Sequence, residues 1–342
     1  MRSLRTLIVL AGLALAACAV PAPNGDVAPA APAGADAGPR IKLTGWQTGV
    51  RADHPLVGRA LLTASGRMVD WPEVSRLIRS ADFLLLGEKH DNPDHHLLQA
   101  RLLADLVDGG RRPGVAWEMI PVDKASALAR YLSRPEATPE AMGAAVDWEE
   151  SGWPDWAIYR PIAKVAMQAG LPQVPGDLTR DDRRSIARAG LGGLSAASAE
   201  LVAARALWTP ELDASLRNEL IGSHCGMIPT EIIPRMVNVQ RARDVSLALA
   251  MVEVATDDGA VLIAGAGHAR KDRGVPLYLR VVQPAAKVVS VGIFEVQENM
   301  TTPLAYLANY GTGAFDLVLF TPALDTKDPC EALRKHGTAR KG

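Results

Sequence analysis

Ionisable side chains follow three of the short apolar segments of this sequence. Glu88 and His90 follow the segment that ends at Leu86, and their spacing of two directs both side chains to the same side if the chain stays extended. Glu118 and His268 follow later apolar segments in the same way. Two carboxylates and two imidazoles at one place could abstract and donate protons, or could bind a divalent metal ion.

Each of these four side chains also has a purely structural interpretation. Glu88 could cap the helix that follows its strand, and either histidine could be a hydrogen-bonded loop residue. For any one of them alone, the structural interpretation is the better one. Their joint placement favours a functional site.

The elements that must position these residues are strands and helices in alternation. Six short apolar segments, each followed by a polar or glycine residue, predict a largely parallel sheet with helices on its faces. The predicted strands cover 82–86, 114–117, 171–174, 260–264, 287–294 and 316–321. The carboxyl ends of parallel strands meet at one edge of a sheet, where ligands bind. The predicted α/β fold therefore gathers the four ionisable side chains in one crevice.

A long region over 125–255 has mainly helical patterns, and we expect it to form a helical insertion or lid. In its last helix, over about 230–255, spacings of four and three residues place Met236, Gln240 and Arg243 on one face. The forked donors of Arg243, with Gln240 beside it, are suited to holding a carboxylate. A surface ion pair of Arg243 is the structural alternative.

Aromatic residues are concentrated in the segment 153–161, in a chain with only 5% aromatic residues. Helical spacing aligns Trp153 with Trp156. The next turn carries Tyr159 and Arg160, so that one helix face would suit a planar hydrophobic ligand. An aromatic cluster in the core is the alternative, and the sequence does not decide between the two.

The N-terminus has the layout of a secretory signal peptide over 1–17, with two arginines before a short apolar run. This run is too short to span a bilayer. It ends in Leu-Ala-Ala-Cys, which matches the bacterial lipobox, so we expect Cys18 to be the lipid-modified N-terminus of the mature chain. Residues 18–39 then form a flexible tether, because Ala, Pro, Gly and Asp offer too little apolar area to fold.

The composition argues against a nucleic-acid or nucleotide partner. The chain has 37 basic and 38 acidic residues, a formal net charge of −1, which is not the basic balance that nucleic-acid binding requires. The glycines at 265–267 lack the third glycine of a dinucleotide-binding motif, and no phosphate-binding lysine motif is present.

Two cysteines remain once Cys18 is acylated. An oxidising compartment would permit a disulfide between Cys225 and Cys330. Two free thiols are the equal alternative, and the sequence favours neither.

Taken together, these segments resemble the ChaN-like haem-binding lipoproteins of the haem-uptake and Tiki superfamily, to which erythromycin esterase-like enzymes are related. The resemblance rests on residues 86–92, 117–119, 153–161, 240–244 and 265–268. It implies an α/β core with helical additions and a haem pocket that is completed by dimerisation. It also implies that a tyrosine phenolate ligates ferric iron, while a histidine and a basic residue contact the propionates. Ligand-binding residues are then expected among Glu88, His90, Glu118, Trp156, Tyr159, Arg160, Gln240, Arg243 and His268.

The tyrosine that this resemblance favours is Tyr159, because it lies in the aromatic segment. Tyr131, Tyr278, Tyr306 and Tyr310 remain open as alternatives. The resemblance covers 80–295, which leaves an N-terminal extension of the core over 40–79 and a C-terminal extension of unknown role over 296–342.

The function expected from these observations is haem binding by a lipoprotein that takes part in haem or iron uptake. A diacylated, palmitate-bearing Cys18 followed by Ala19 rather than Asp predicts an anchor in the outer membrane of the cell envelope. The rival hypothesis is an esterase- or metallopeptidase-like hydrolase that uses Glu88, His90 and Glu118, with His268 and Arg243 stabilising charge or a divalent metal bound. A protein-binding scaffold without catalysis is a third alternative.

Overall fold

The computed structural model describes residues 40–41, 45–194, 198, 201, 208–327 and 330–331. The predicted signal peptide, Cys18 and the tether lie outside these residues. Eight strands are described: β1 Ala60–Leu62, β2 Arg67–Val69, β3 Phe83–Glu88, β4 Gly114–Pro121, β5 Gln173–Asp177, β6 Ala260–Gly265, β7 Val288–Glu295 and β8 Leu317–Thr321. They form one sheet in the order β2-β1-β8-β7-β3-β6-β4-β5.

The sheet is parallel from β8 to β5, and only the short strands β1 and β2 pair antiparallel to their neighbours. All six predicted strands are present, and the α/β fold with a mainly parallel sheet is confirmed. β1 and β2 were not predicted, because strands of three residues are too short to show a period of two. β8 lies in the segment expected as a C-terminal extension, yet it pairs with both β1 and β7.

Helices cover both faces of the sheet. The described helices are α1 Trp71–Arg79, α2 Pro93–Asp108, α3 Ala125–Leu132, α4 Pro139–Ala145, α5 Trp156–Gln168, α6 Arg180–Ala189, α7 Pro210–Ser223, α8 Ile233–Val254, α9 Ala266–Ala269, α10 Val275–Val282 and α11 Pro303–Tyr310. The predicted helical region over 125–255 contains α3 to α8, and β5 within it joins the sheet beside β4.

The core has two layers because side chains alternate along each strand. In β3, Leu84 and Leu86 are buried on the face that packs against α1, α2 and α5. Phe83 and Leu85 are buried on the opposite face, which packs against α8, α10 and α11. A strand buried on both faces is uniformly apolar, so any polar residue at its end stands out.

One disulfide is present in the structure. Cys225, just after α7, is bonded to Cys330 in the C-terminal segment, across a sequence separation of 105 residues. The structure thereby decides between the two alternatives that the sequence left open. Within the described part of the chain, no helix has the length and apolar character that crossing a membrane requires.

Candidate functional site

The site lies at the carboxyl edge of the parallel sheet, where neighbouring strands deliver polar residues. Glu88 is the last residue of β3, and Asp177 is the last residue of β5. Glu118 lies near the end of β4, and His268 follows β6 in the short helix α9. The register pairs Glu88 with Gly265, which brings the ends of β3 and β6 side by side. The predicted convergence of the ionisable residues is thus observed.

Glu118 is the centre of the site, with only 1% of the residue exposed. Its Oε1 accepts a hydrogen bond of 2.8 Å from Arg243 Nη2, and its Oε2 accepts one of 2.6 Å from the backbone N–H of Gly265. The Nε2 atoms of His268 and His90 lie 3.4 Å and 3.9 Å from Oε1. Burial alone would raise the pKa of Glu118, but the surrounding His268, His90 and Arg243 lower it to about 2.

Two imidazole–carboxylate pairs flank this central glutamate. His90 donates from Nδ1 to Oε1 of Glu88 over 2.6 Å, and His268 donates from Nδ1 to Oδ1 of Asp244 over 2.6 Å. Each pair fixes its ring so that Nε2 is directed at Glu118. Burial lowers the pKa of His90, but Glu88 and Glu118 outweigh it and raise that pKa to about 9. The pKa of His268 is likewise raised, because Glu118 and Asp244 outweigh burial.

Arg243 connects the central glutamate to β5. Its guanidinium donates from Nε to Oδ1 of Asp177 over 2.8 Å in addition to its bond with Glu118. Burial would lower its pKa, but the two carboxylates raise it, so that Arg243 is a fixed positive charge. The prediction that Arg243 holds the carboxylate of a ligand does not fit this arrangement, because its donors already serve two protein carboxylates. The neighbouring Gln240 lines the cavity described below.

Glu88 has an unpaired oxygen. Its side chain is fully buried, and its Oε2 has no hydrogen-bond partner within the described part of the chain. Among the described residues, no group of three or more His, Cys, Asp or Glu side chains is arranged to hold a metal ion. The arrangement shown is an ion-pair network around Glu118, which can hold a proton on His90 or His268.

A cavity of about 710 Å³ opens above this network. Its floor consists of ionisable residues from the strand ends, and its walls include apolar and aromatic side chains. Residues of the apolar wall are Leu216, Leu220, Ile293, Phe294, Val296, Tyr310 and Phe315. A concave site of this size with a few converging polar groups is typical of small-molecule binding.

Most of the predicted aromatic surface is part of the core. Trp156 packs on Trp148 with ring centroids 4.8 Å apart, and its indole N–H donates to the carbonyl of Pro139. Tyr159 is fully buried, and its hydroxyl donates to the carbonyl of His90 over 3.1 Å. The hydroxyl is therefore not available to an iron in the cavity, contrary to our prediction. Arg160 does not line the cavity, and it points to Glu140 at 3.9 Å.

Trp153 is the exception in this segment. Its ring lies against the ring of His90, with centroids 4.6 Å apart. An added Cβ at Gly265 would come within 2.9 Å of the same imidazole. The ring of His90 therefore contacts an indole and also lies close to a position where only glycine leaves room.

Of the five tyrosines, all of which are described, Tyr310 alone lines the cavity. The other four are buried, and each hydroxyl has a protein partner: Tyr131 with Thr138, Tyr159 with His90, Tyr278 with Arg241 and Tyr306 with Gln297. Tyr310 stacks on Phe294 with centroids 4.3 Å apart, and its hydroxyl accepts a hydrogen bond from Gln297 Nε2 over 3.3 Å. Burial raises its pKa, so the free protein carries a phenol there.

Sequence reasoning missed three polar residues of the site. Asp177 was missed because the predicted strand ended at 174, three residues before the observed end of β5. Asp244 follows Arg243 directly, and a helical wheel separates neighbours by about 100°, so only the fold shows that it meets His268. No pattern in the sequence indicated Arg273, because this residue lies in a loop whose path the sequence does not reveal.

The ion-pair network should make stability depend on pH. The pKa of His90 is raised from 6.5 to about 9, so its contribution is complete below pH 6.5 and is lost as the pH rises through 9. The pKa of Glu118 is lowered to about 2, so its contribution is complete above pH 4.5 and is lost as the pH falls through 2. We expect the free energy of unfolding, measured with urea, to be highest between pH 4.5 and 6.5.

The variant His90→Gln isolates the alkaline side of this dependence. Its free energy of unfolding should fall less than that of the wild type between pH 6.5 and 9. The control is His224→Gln, which changes an exposed histidine outside the network. Equal alkaline slopes in the wild type and His90→Gln would show that His90 does not carry the effect.

An open parallel sheet with a ligand-sized cavity at its carboxyl edge is typical of ligand-binding α/β proteins. A family model described as "Haem-binding uptake, Tiki superfamily, ChaN" matches residues 74–279, which is more than half of the chain. The chain belongs to this family, as its motifs predicted.

Two solved structures align with this chain, and the first of them shows a similar fold. The structure of ChaN of Campylobacter jejuni with cofacially bound haem aligns with a TM-score of 0.60 and 20% identity, over 76% of this chain and 95% of that one. A mutant of the erythromycin esterase EreC in its open conformation aligns with a TM-score of 0.41 and 13% identity, over 79% of this chain and 98% of that one. No curated protein sequence matches the chain significantly.

Proposed function

We propose that this chain binds haem in the cavity at the carboxyl edge of the sheet and acts in haem uptake. The observation that carries the proposal is the cavity of about 710 Å³, with its apolar wall on one side and its ionisable floor on the other. Haem has the matching chemistry: a flat apolar macrocycle, two carboxylates and an iron that accepts an axial ligand. Membership of a haem-binding uptake family supports the same assignment.

The residue that we propose as the iron ligand is Tyr310. A tyrosinate is a recognised axial ligand of ferric haem, and Tyr310 is the tyrosine whose side chain reaches the cavity. Its stacking partner Phe294 holds the phenol ring at the cavity wall. Ligation would release the phenol proton, and Gln297 already donates to the same oxygen.

Replacing Tyr310 by Phe should remove the tyrosinate signature from the absorption and resonance Raman spectra of the ferric complex. Outer-shell partners of metal ligands contribute about tenfold to hundredfold in affinity, so loss of a direct ligand should weaken hemin binding by at least about tenfold. The matched control is Tyr159→Phe, which removes a buried phenol that bonds only to a backbone carbonyl. If Tyr310→Phe leaves the spectrum of the complex unchanged, the ligand is another residue.

We further propose that the chain is exported and is anchored to a membrane by a lipid on Cys18. The disulfide between Cys225 and Cys330 supports this location, because disulfides are typical of oxidising compartments outside the cytosol. The lipobox and the Ala19 that follows it favour the outer membrane. Mass spectrometry of the N-terminal peptide should find diacylglycerol and palmitate on Cys18, and Cys18→Ser should release the protein from the membrane fraction.

A homodimer that closes the cavity is proposed from the family resemblance. Three apolar side chains near the part of α7 that lines the cavity are exposed to solvent, namely Ile221, Met227 and Ile232. Exposed apolar side chains that form a contiguous surface are typical of an interaction site, and these three are the candidates for it. Sedimentation of the chain with and without hemin should show a doubling of mass when hemin is bound.

The hydrolase alternative uses the same ion-pair network, but the network is poorly matched to it. A general base works best when its pKa is near the working pH. The pKa of Glu118 is lowered to about 2 and that of His90 is raised to about 9, so at neutral pH the first is a weak base and the second already holds a proton. Haem binding is therefore the function that we propose.

A further inference from the structure

Arg273 is a buried cation whose hydrogen-bonding capacity is only partly used. It lies in the loop between α9 and α10, lines the cavity, and is 3% exposed. Its Nη2 is paired with Glu219 of α7, while its Nε has no hydrogen-bond partner within the described part of the chain. A guanidinium has five N–H donors, and leaving them unused in a buried place is costly.

Two other arginines of the cavity differ from Arg273 in this respect. Arg243 is bonded to two carboxylates, and Arg270 donates from two nitrogens to Asp272 and also to a backbone carbonyl. Burial lowers the pKa of Arg273, and the carboxylates of Glu219, Asp272 and Asp244, which are opposed by Arg270, do not overcome this effect. Glu219 is the carboxylate that is paired with Arg273 in the described part of the chain. Arg273 thus lacks the compensation that its neighbours have.

The partner of Arg273 is also unusual. Glu219 keeps 43% of its side chain exposed, so solvent already competes for its charge. Glu219 and Tyr310 both line the cavity, and the charge of Glu219 contributes to the raised pKa of Tyr310. A carboxylate supplied by a ligand could replace Glu219 at Arg273 without burying an additional unpaired charge.

We infer that Arg273 is the anchor for a carboxylate of the cavity ligand, and that Glu219 holds this position until the ligand arrives. The inference rests on the proposed function, under which the carboxylate is a haem propionate. Planar, bidentate recognition of a carboxylate is the task to which a guanidinium is best suited. The iron ligand and the carboxylate anchor would then share the wall that includes α7 and the end of α11.

Ligand chemistry gives a test that needs no variant. The dimethyl ester of hemin carries a methyl group on each carboxyl and so lacks both negative charges, and both compounds can be titrated into the full chain and followed by absorbance. A charge-assisted bond contributes about tenfold to hundredfold in affinity, so the wild type should bind hemin at least about tenfold more tightly than the ester. Equal affinities would overturn the inference, whereas failure to bind hemin at all would overturn the proposed function instead.

Variants assign the effect to Arg273. In Arg273→Gln, the dissociation constant for hemin should rise by about tenfold or more, while that for the ester should stay within about twofold. In Glu219→Gln, hemin should bind more tightly than to the wild type, because the competing carboxylate is gone. The control Arg280→Gln changes an exposed arginine of α10 and should preserve the preference for hemin. If Arg273→Gln keeps that preference, or Glu219→Gln weakens hemin binding, the carboxylate is held elsewhere.

Discussion

Replacing Glu118 by Ala should destabilise the protein by about 3–5 kcal/mol, the cost of removing one partner from a buried ion pair. The side chain of Glu118 is 1% exposed, and its carboxylate accepts from Arg243 and faces His90 and His268. Without this carboxylate, Arg243, His90 and His268 lose the negative charge that they share. Urea unfolding at pH 6, where the network is complete, measures the loss.

The matched variant is Glu118→Gln, which keeps the size of the side chain and an acceptor for the N–H of Gly265. It removes the charge alone, so its loss of stability should be smaller than that of Glu118→Ala but still clear. Between pH 2 and 4.5, the stability of Glu118→Gln should depend less on pH than that of the wild type, because the titration of Glu118 no longer contributes. A loss below about 1 kcal/mol in Glu118→Ala would show that the network does not stabilise the fold.

Removing the disulfide should also have a large effect. It closes a loop with a sequence separation of 105 residues, and a native disulfide contributes about 2–5 kcal/mol, in part by restricting the unfolded chain. We expect the double variant Cys225→Ser with Cys330→Ser to lose stability in this range. Thermal and urea unfolding of the variant and of the reduced wild type should agree, because both lack the same bond.

The disulfide should also affect ligand retention, since the segments on both sides of it line the cavity. Ser223 and His224 precede Cys225, and Thr326 and Lys327 lie close before Cys330. Without the bond, these two walls are no longer held together, so hemin should dissociate faster. An unchanged dissociation rate in the double Ser variant would mean that the bond serves stability alone.

The sequence predicted the floor of the site well. Glu88 ends β3, Glu118 lies just after the last residue of β4 that pairs with β6, and His90 and His268 follow strands, while the strand ends of a parallel sheet must meet at one edge. The residue that ends a buried strand is therefore placed by the fold class itself. Local pattern and global topology agree at these positions, which is why four residues could be assigned to one site.

The walls of the site could not be predicted in the same way. Helical spacing aligns Trp156 and Tyr159, but it does not say whether their face meets the sheet or a ligand, and here it meets the core. Tyr310 and Arg273 lie at the end of a helix and in a loop, where no periodicity exists. Their positions depend on tertiary packing, so only the structure brings them to the cavity.

Haem binding in the cavity can be tested by an absorbance titration. Hemin is added stepwise to the purified mature chain, and the Soret band is compared with that of hemin in buffer. We predict a shifted band that saturates near one hemin per chain, as expected if the cavity of about 710 Å³ holds one haem. A spectrum that remains the sum of free hemin and protein at every ratio would contradict it.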